Sequence, residues 1–182
     1  MSGGDEASPR TDAEPMAFTA DEFLRGMVAA WLWFNVLFAA AFGILQALTQ
    51  SPIWGSWWSG VFVVLLYAVP VALIVSGIVT LLCCGAAWAL GRMLRRRRSL
   101  VLHAVCYALL GAAIGALVVT VYQLAVQSPW DPTHWLAVIV QACSAAAVAL
   151  GWGWTVRHSI RVEAGRTRKA RIDRDAAAED AL

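Results

Sequence analysis

The chain has 182 residues, of which 60% are hydrophobic and 14% are charged; an ordinary globular domain has about 45–50% apolar and about 25% charged residues. A single soluble core cannot hide that much apolar side chain, so the composition excludes a water-soluble domain and points to lipid as the solvent. The formal charge of +2 is a small difference between 14 cations and 12 anions, and it names no partner.

Residues 1–18 are polar, acidic and rich in small side chains. Such a segment buries too little surface to fold, and it is expected to be a disordered cytoplasmic tail. Order is expected from Thr19, because Thr19-Ala20-Asp21-Glu22 has the spacing of a capping box, with Phe18 and Phe23 at the positions of a hydrophobic staple.

Four stretches without Asp, Glu, Lys or Arg follow, at residues 26–48, 59–90, 99–126 and 134–156. Each exceeds the roughly 20 residues a helix needs to cross a ~30 Å hydrocarbon layer. The expected helices are about 19–48, 57–91, 99–126 and 132–156, the second tilted, kinked at Pro70 or overlong. The first is not a secretory leader, since an acidic region precedes it and its apolar run outlasts the roughly 7–15 residues of a signal core. The fold class is therefore all-α: a polytopic membrane protein, a four-transmembrane-helix bundle occupying residues 19–156.

Orientation follows from the cations. They fall before the first helix (Arg10, Arg25), between the second and third (Arg92, Arg95, Arg96, Arg97, Arg98), and from Arg157 to Arg174. The other two connections, residues 49–58 and 127–133, have none. Basic residues favour the cytoplasm, which places both termini there, in a bacterial plasma (inner) membrane. Tryptophans near both sets of connections form the double belt expected at headgroup level. Residues 157–182 read as a basic, mixed-charge cytoplasmic tail, partly helical and then fraying.

A short motif recurs. Gln46, Gln50, Ser51 and Pro52 match Gln123, Gln127, Ser128 and Pro129, each set at the outer end of an odd-numbered helix. The match suggests two similar helical hairpins related by an axis along the membrane normal. A chance match in a biased composition is the alternative.

Small residues form stripes at Ala104, Ala108, Ala112 and Ala116 beside Gly111 and Gly115, at Ala145, Ala149 and Gly153, and at Ala39, Gly43 and Ala47. Such stripes let helix backbones approach closely, within one chain or against a homo-oligomeric or membrane-protein partner. Asn35, Gln46, Thr120, Gln123, Gln141 and Ser144 are the polar groups at membrane depth, accounted for by interhelical hydrogen bonds. No intramembrane carboxylate of the kind that ion-coupled transporters use is present.

His103, Cys106, Cys83 and Cys84 are the weak candidates for a metal, without CxxC or HExxH spacing. Apolar packing explains the cysteines better, and no metal or other cofactor is expected. Arg92 and Arg95 to Arg98 are candidates for contact with anionic lipid headgroups. Neither a nucleotide motif nor a catalytic triad appears, and no nucleic-acid module accompanies the arginines. The expectation is a non-catalytic accessory or scaffold subunit acting through helix packing and a basic cytoplasmic face. The alternatives are a small oligomeric transporter or channel built from the duplicated hairpin and, more remotely, a metal or haem redox protein.

Overall fold

The computed structural model describes residues 13, 14, 16–49, 62, 64–127, 131 and 134–179. Among these, all regular structure is helical: α1 (Ala20–Thr49), a π-helical turn (Val64–Ala68) that runs into α2 (Val69–Leu94), α3 (Leu100–Ala125) and α4 (Trp135–Glu179). Each contains a stretch long and apolar enough to cross a membrane, the shortest having 26 residues. At ~1.5 Å per residue that is about 39 Å, enough for the hydrocarbon layer. The molecule is a multi-pass membrane protein.

The helix starts follow from local chemistry. At α1 the Thr19 N–H donates to Glu22 Oε2 at 3.2 Å and the Glu22 N–H donates to Thr19 Oγ1 at 3.2 Å, the reciprocal pair of a capping box. Phe18 and Phe23 stack at 6.1 Å across it. Ser99 caps α3, accepting from the Leu102 N–H at 3.3 Å. Before α2, Pro70 lacks the N–H that would bond the Leu66 carbonyl, and the chain widens there into the π turn. The expected start of this helix near 57 lies outside the described residues.

The apolar span of α4 ends later than the expected residue 156. It continues to Val162, past Arg157 and Arg161, and the helix runs on to Glu179. Arginine at a membrane boundary keeps its stem in apolar surroundings and its head in water, so the first Arg need not end a span.

Packing centres on α4, which lies antiparallel between α1 and α3. Toward α1, a Cβ on Gly151 would stand 2.6 Å from the Ala30 nitrogen, and one on Gly26 would stand 3.1 Å from Thr155 Oγ1. Toward α3, a Cβ on Gly111 would overlap the Ser144 carbonyl oxygen and reach Ala145 Cα at 2.9 Å, and one on Gly115 would reach Gln141 Cα at 2.9 Å. Hydrocarbon supplies no hydrophobic drive between helices, so these backbone approaches carry the association.

The buried row of α3 is His103, Tyr107, Gly111, Gly115, Val119 and Gln123. It is the GxxxG row rather than the alanine row beside it, whose members are only half-buried. On α4 the small-residue register also differs from expectation. Gly153 has no atom within 4 Å of a Cβ position and so takes no part in a close approach; Gly151 does instead. The buried row there is Cys143, Ala147 and Gly151, while Ala149 is half-buried and Ala145 faces α3. Gly43 on α1 likewise has open space beside it.

α2 is attached differently. No residue in its most apolar window is buried, and Ile74, Leu81 and Leu82 are 66%, 65% and 77% exposed. Such surface is costly in water and costs nothing in hydrocarbon. The two hairpins are therefore not packed alike, since α4 is clasped along its span on both sides while α2 is held at separate points.

Candidate functional site

Three groups of contacts hold α2. Near its middle, Asn35 Nδ2 donates to Ser76 Oγ at 3.1 Å and to the Trp31 carbonyl at 2.8 Å, and Trp31 Nε1 donates to the Leu73 carbonyl at 3.3 Å. Ser76 is itself tied by the Thr80 hydroxyl, which donates to the Ser76 carbonyl at 2.7 Å. Toward the arginine-rich end, the Trp88 ring receives Phe18 edge-on at 5.0 Å and Phe23 at 4.9 Å. Beside them Gly91 leaves room for both the Phe18 ring and the Tyr107 hydroxyl, each of which would stand 2.8 Å from a Cβ. The Tyr107 hydroxyl also donates to the Ala87 carbonyl at 3.5 Å, a long bond that joins α3 to α2.

Elsewhere the helices part. Between α2 and the other three lies a cavity of ≈ 1140 Å³ whose walls come from all four helices. Its volume exceeds the ~300–1,000 Å³ usual for small-molecule pockets. Tyr67 on the π turn, Val71 and Val75 on α2, and Leu117, Val121 and Tyr122 on α3 line it while being 64%, 60%, 44%, 58%, 57% and 53% exposed themselves. The cavity is therefore open sideways between α2 and α3, toward the lipid, in the half of the span away from the arginine turn.

Its polar groups are few. Ser76, Thr80, Ser144 and Thr155 line it, but the hydroxyls of Thr80 and Thr155 are spent on carbonyls one turn back. Glu22 lines it at the arginine-rich end and is engaged in the capping box. The remaining lining is mainly aliphatic and aromatic, so the cavity suits an apolar occupant.

At that end a shallow recess of ≈ 240 Å³ adjoins it, lined by Ala17, Phe18, Trp88, Arg92 and Arg95. Phe18 lines both spaces. The segment before α1 borders the recess through Ala17 and Phe18 and is tied to the turn, where Arg95 Nε meets Glu14 Oε1 at 3.1 Å and the Met16 N–H donates to the Arg95 carbonyl at 3.1 Å. The acidic tail thus reaches the basic turn, although only its last residues are described. Arg96, Arg97 and Arg98 are exposed on the turn, which the Arg97 N–H tightens by donating to the Leu94 carbonyl at 2.8 Å.

The weak metal candidates do not converge. His103 is 3% exposed, with Nδ1 2.8 Å from the Ser99 carbonyl and its ring stacked on Trp152 at 5.2 Å. That carbonyl can only accept, so Nδ1 carries the proton. Tyr107 stacks on Trp152 one turn along, at 5.7 Å. Cys83 and Cys84 face the large cavity, and Cys106 is half-buried. Among the described residues no group of three or more His, Cys, Asp or Glu side chains is placed to hold a metal ion.

Of the repeated motif, Gln50, Ser51, Pro52, Ser128 and Pro129, and the side chain of Gln46, lie outside the described residues. Gln123 is buried, its Nε2 donating to the Asp131 carbonyl at 3.0 Å, and its Oε1 has no hydrogen-bond partner among the described residues. Gln127 ends α3 in the left-handed conformation, at φ 52°.

Sequence reasoning did not find the cavity or its mouth. The one available signal was the pair Phe18 and Phe23, whose partner Trp88 lies far along the chain. Comparison with protein-family models, with curated proteins and with solved structures finds no match to this chain.

Proposed function

We propose that this chain is a non-catalytic accessory or scaffold subunit of a bacterial plasma membrane, with both termini and the arginine turn in the cytoplasm. The observation that carries the reading is the contrast between a locked α1–α4–α3 unit and an α2 whose most apolar window has no buried residue, its only buried positions among the described residues, Gly91 and Leu94, lying at its arginine-rich end. A rigid three-helix platform with one point-tethered helix suits a protein that works by holding something beside it. The cation distribution supports the orientation, because arginine occurs on one side of the four spans only.

Affinity purification of the full chain in mild detergent, followed by crosslinking, tests the scaffold reading. The expected result is a specific membrane-protein partner or homo-oligomer, lost on substituting exposed α2 residues such as Ile74 or Leu82 by polar ones. A lone monomer under every mild condition would contradict it.

A second reading, a small oligomeric transporter or channel, draws support from the lateral cavity and from the buried Gln123 Oε1, which has no hydrogen-bond partner among the described residues. Solute flux in liposomes that disappears in Gln46→Leu or Gln123→Leu would favour it over the scaffold.

A further inference from the structure

We infer that the cavity between α2 and α3 is a binding site for one anionic membrane phospholipid. Its acyl chains lie between the helices, and its phosphate is held by Arg92 and Arg95 where the Glu14 carboxylate now sits. The inference uses the orientation proposed above only to name the cytoplasmic leaflet as the source.

The shape and chemistry of the space argue for an amphiphile rather than a small polar solute. The body of the cavity is apolar along α2 and α3, and its wall is open to lipid in the half of the span away from the arginine turn, where the far ends of acyl chains held from that turn would emerge. Acyl chains enter such an opening without crossing water, and each methylene moved from water to an apolar site is worth about 0.8 kcal/mol, a gain that lipid chains already in the bilayer do not need. Chain packing therefore contributes fit, and selectivity has to come from the head.

The head end supplies it. Arg92 and Arg95 line a recess that shares Phe18 with the lining of the apolar space, beside the Trp88 ring. Guanidinium groups match phosphate oxygens as well as they match carboxylates. That the position suits an anion is shown by Glu14, whose Oε1 lies 3.1 Å from Arg95 Nε. Glu14 belongs to the short segment before α1, and its backbone is tied to the turn through the Met16 bond to the Arg95 carbonyl. The tail is thus an intramolecular competitor for the headgroup position. Binding of the lipid breaks the Glu14–Arg95 ion pair, and the two anions exclude each other.

A partner helix is the other apolar object that would fill a gap of this size. The recess argues against it, because a hydrophobic helix offers no anion at the depth of Arg92 and Arg95.

Native mass spectrometry of the purified full chain in mild detergent, titrated with phosphatidylglycerol, phosphatidylcholine or inorganic phosphate alone, tests the assignment. One molecule of phosphatidylglycerol is expected to bind in clear preference to phosphatidylcholine, and inorganic phosphate is expected neither to bind nor to displace it. R92Q and R95Q should each weaken the lipid about fivefold, the equivalent of ~1 kcal/mol per basic residue at an anionic surface. Ala72→Phe, which fills the cavity from α2, should reduce binding of both lipids. E14Q should strengthen phosphatidylglycerol binding, a gain that a misfolded variant cannot produce. Equal retention of the two lipids, displacement by inorganic phosphate, or an E14Q protein with unchanged affinity would overturn the inference. So would a co-purified helix that crosslinks at position 72 in a lipid-free sample. Lipid stoichiometry is read on this chain alone, so failure to find a protein partner leaves it untouched and sinks only the scaffold reading.

Discussion

Gly151 on α4 backs directly onto Ala30 on α1, with its missing methyl 2.7 Å from the Ala30 Cα. On the neighbouring face of the same helix, Ala145 and Ser144 receive Gly111 of α3 with equal closeness. α4 is thus gripped from two sides through glycine, and the stability of the bundle depends on keeping those positions bare.

Gly111→Ala and Gly151→Ala place a methyl against backbone atoms that cannot move without separating the helices. Each is expected to cost about 1–3 kcal/mol, the range for overpacking a fitted interface. Gly153→Ala is the control on the same helix, because its Cβ meets open space; it should be neutral or stabilising by up to ~1 kcal/mol through helix propensity. Thermal unfolding in detergent checks the order, which fails if all three variants behave alike.

Asn35 carries the polar clasp between α1 and α2 through Ser76. Asn35→Leu removes that bond while keeping the helix apolar, and should destabilise by about 0.6–1.7 kcal/mol, from the average to the largest value found for interhelical hydrogen bonds by double-mutant cycles in a membrane protein. The loss should appear as easier proteolysis at the ends of α2, with α1, α3 and α4 remaining associated. Loss of the whole bundle would show that α2 is more integral than its exposure suggests.

Thr19→Ala removes one half of the capping box. A cost of ~1 kcal/mol is expected. Because Phe18 stands beside Thr19 and lines both the cavity and the recess, the variant should also loosen the strap that carries Glu14. Faster amide exchange at Met16 and Ala17, with the α3–α4 contact unchanged, is the signature. Unaltered exchange there would separate the cap from the strap.

Gln127 pays a left-handed conformation for the end of α3. Gln127→Gly relieves it, and a gain of up to about 1 kcal/mol in stability is expected. A loss would mean that the Gln127 side chain makes a contact worth more than the strain.

How much of this was legible beforehand varies with the range of the interaction. The α1 start was readable because Thr19, Glu22, Phe18 and Phe23 are neighbours in sequence, and the reciprocal bonds form as that spacing requires. The four spans were readable because lipid tolerates long charge-free runs and little else. Register between helices was not. α4 offers two overlapping rows of small residues, Ala145–Ala149–Gly153 and Cys143–Ala147–Gly151, and only the position of α1 selects the second. The reach of the α4 apolar span to Val162 was hidden by Arg157 and Arg161, which resemble a membrane boundary, whereas a helix continuing into the tail was expected. The cavity is a failure of α2 to close on α3, and no local pattern encodes a gap.

The proposed cytoplasmic placement of the arginine turn sets the face at which a scaffold would act and the leaflet from which a lipid would come. Single cysteines introduced as Arg97→Cys and Asp131→Cys, in a chain whose four native cysteines are alanine, can be challenged with a membrane-impermeant maleimide on intact cells. The account predicts labelling of position 131 at once and of position 97 only after permeabilisation. Labelling of position 97 on intact cells would contradict it.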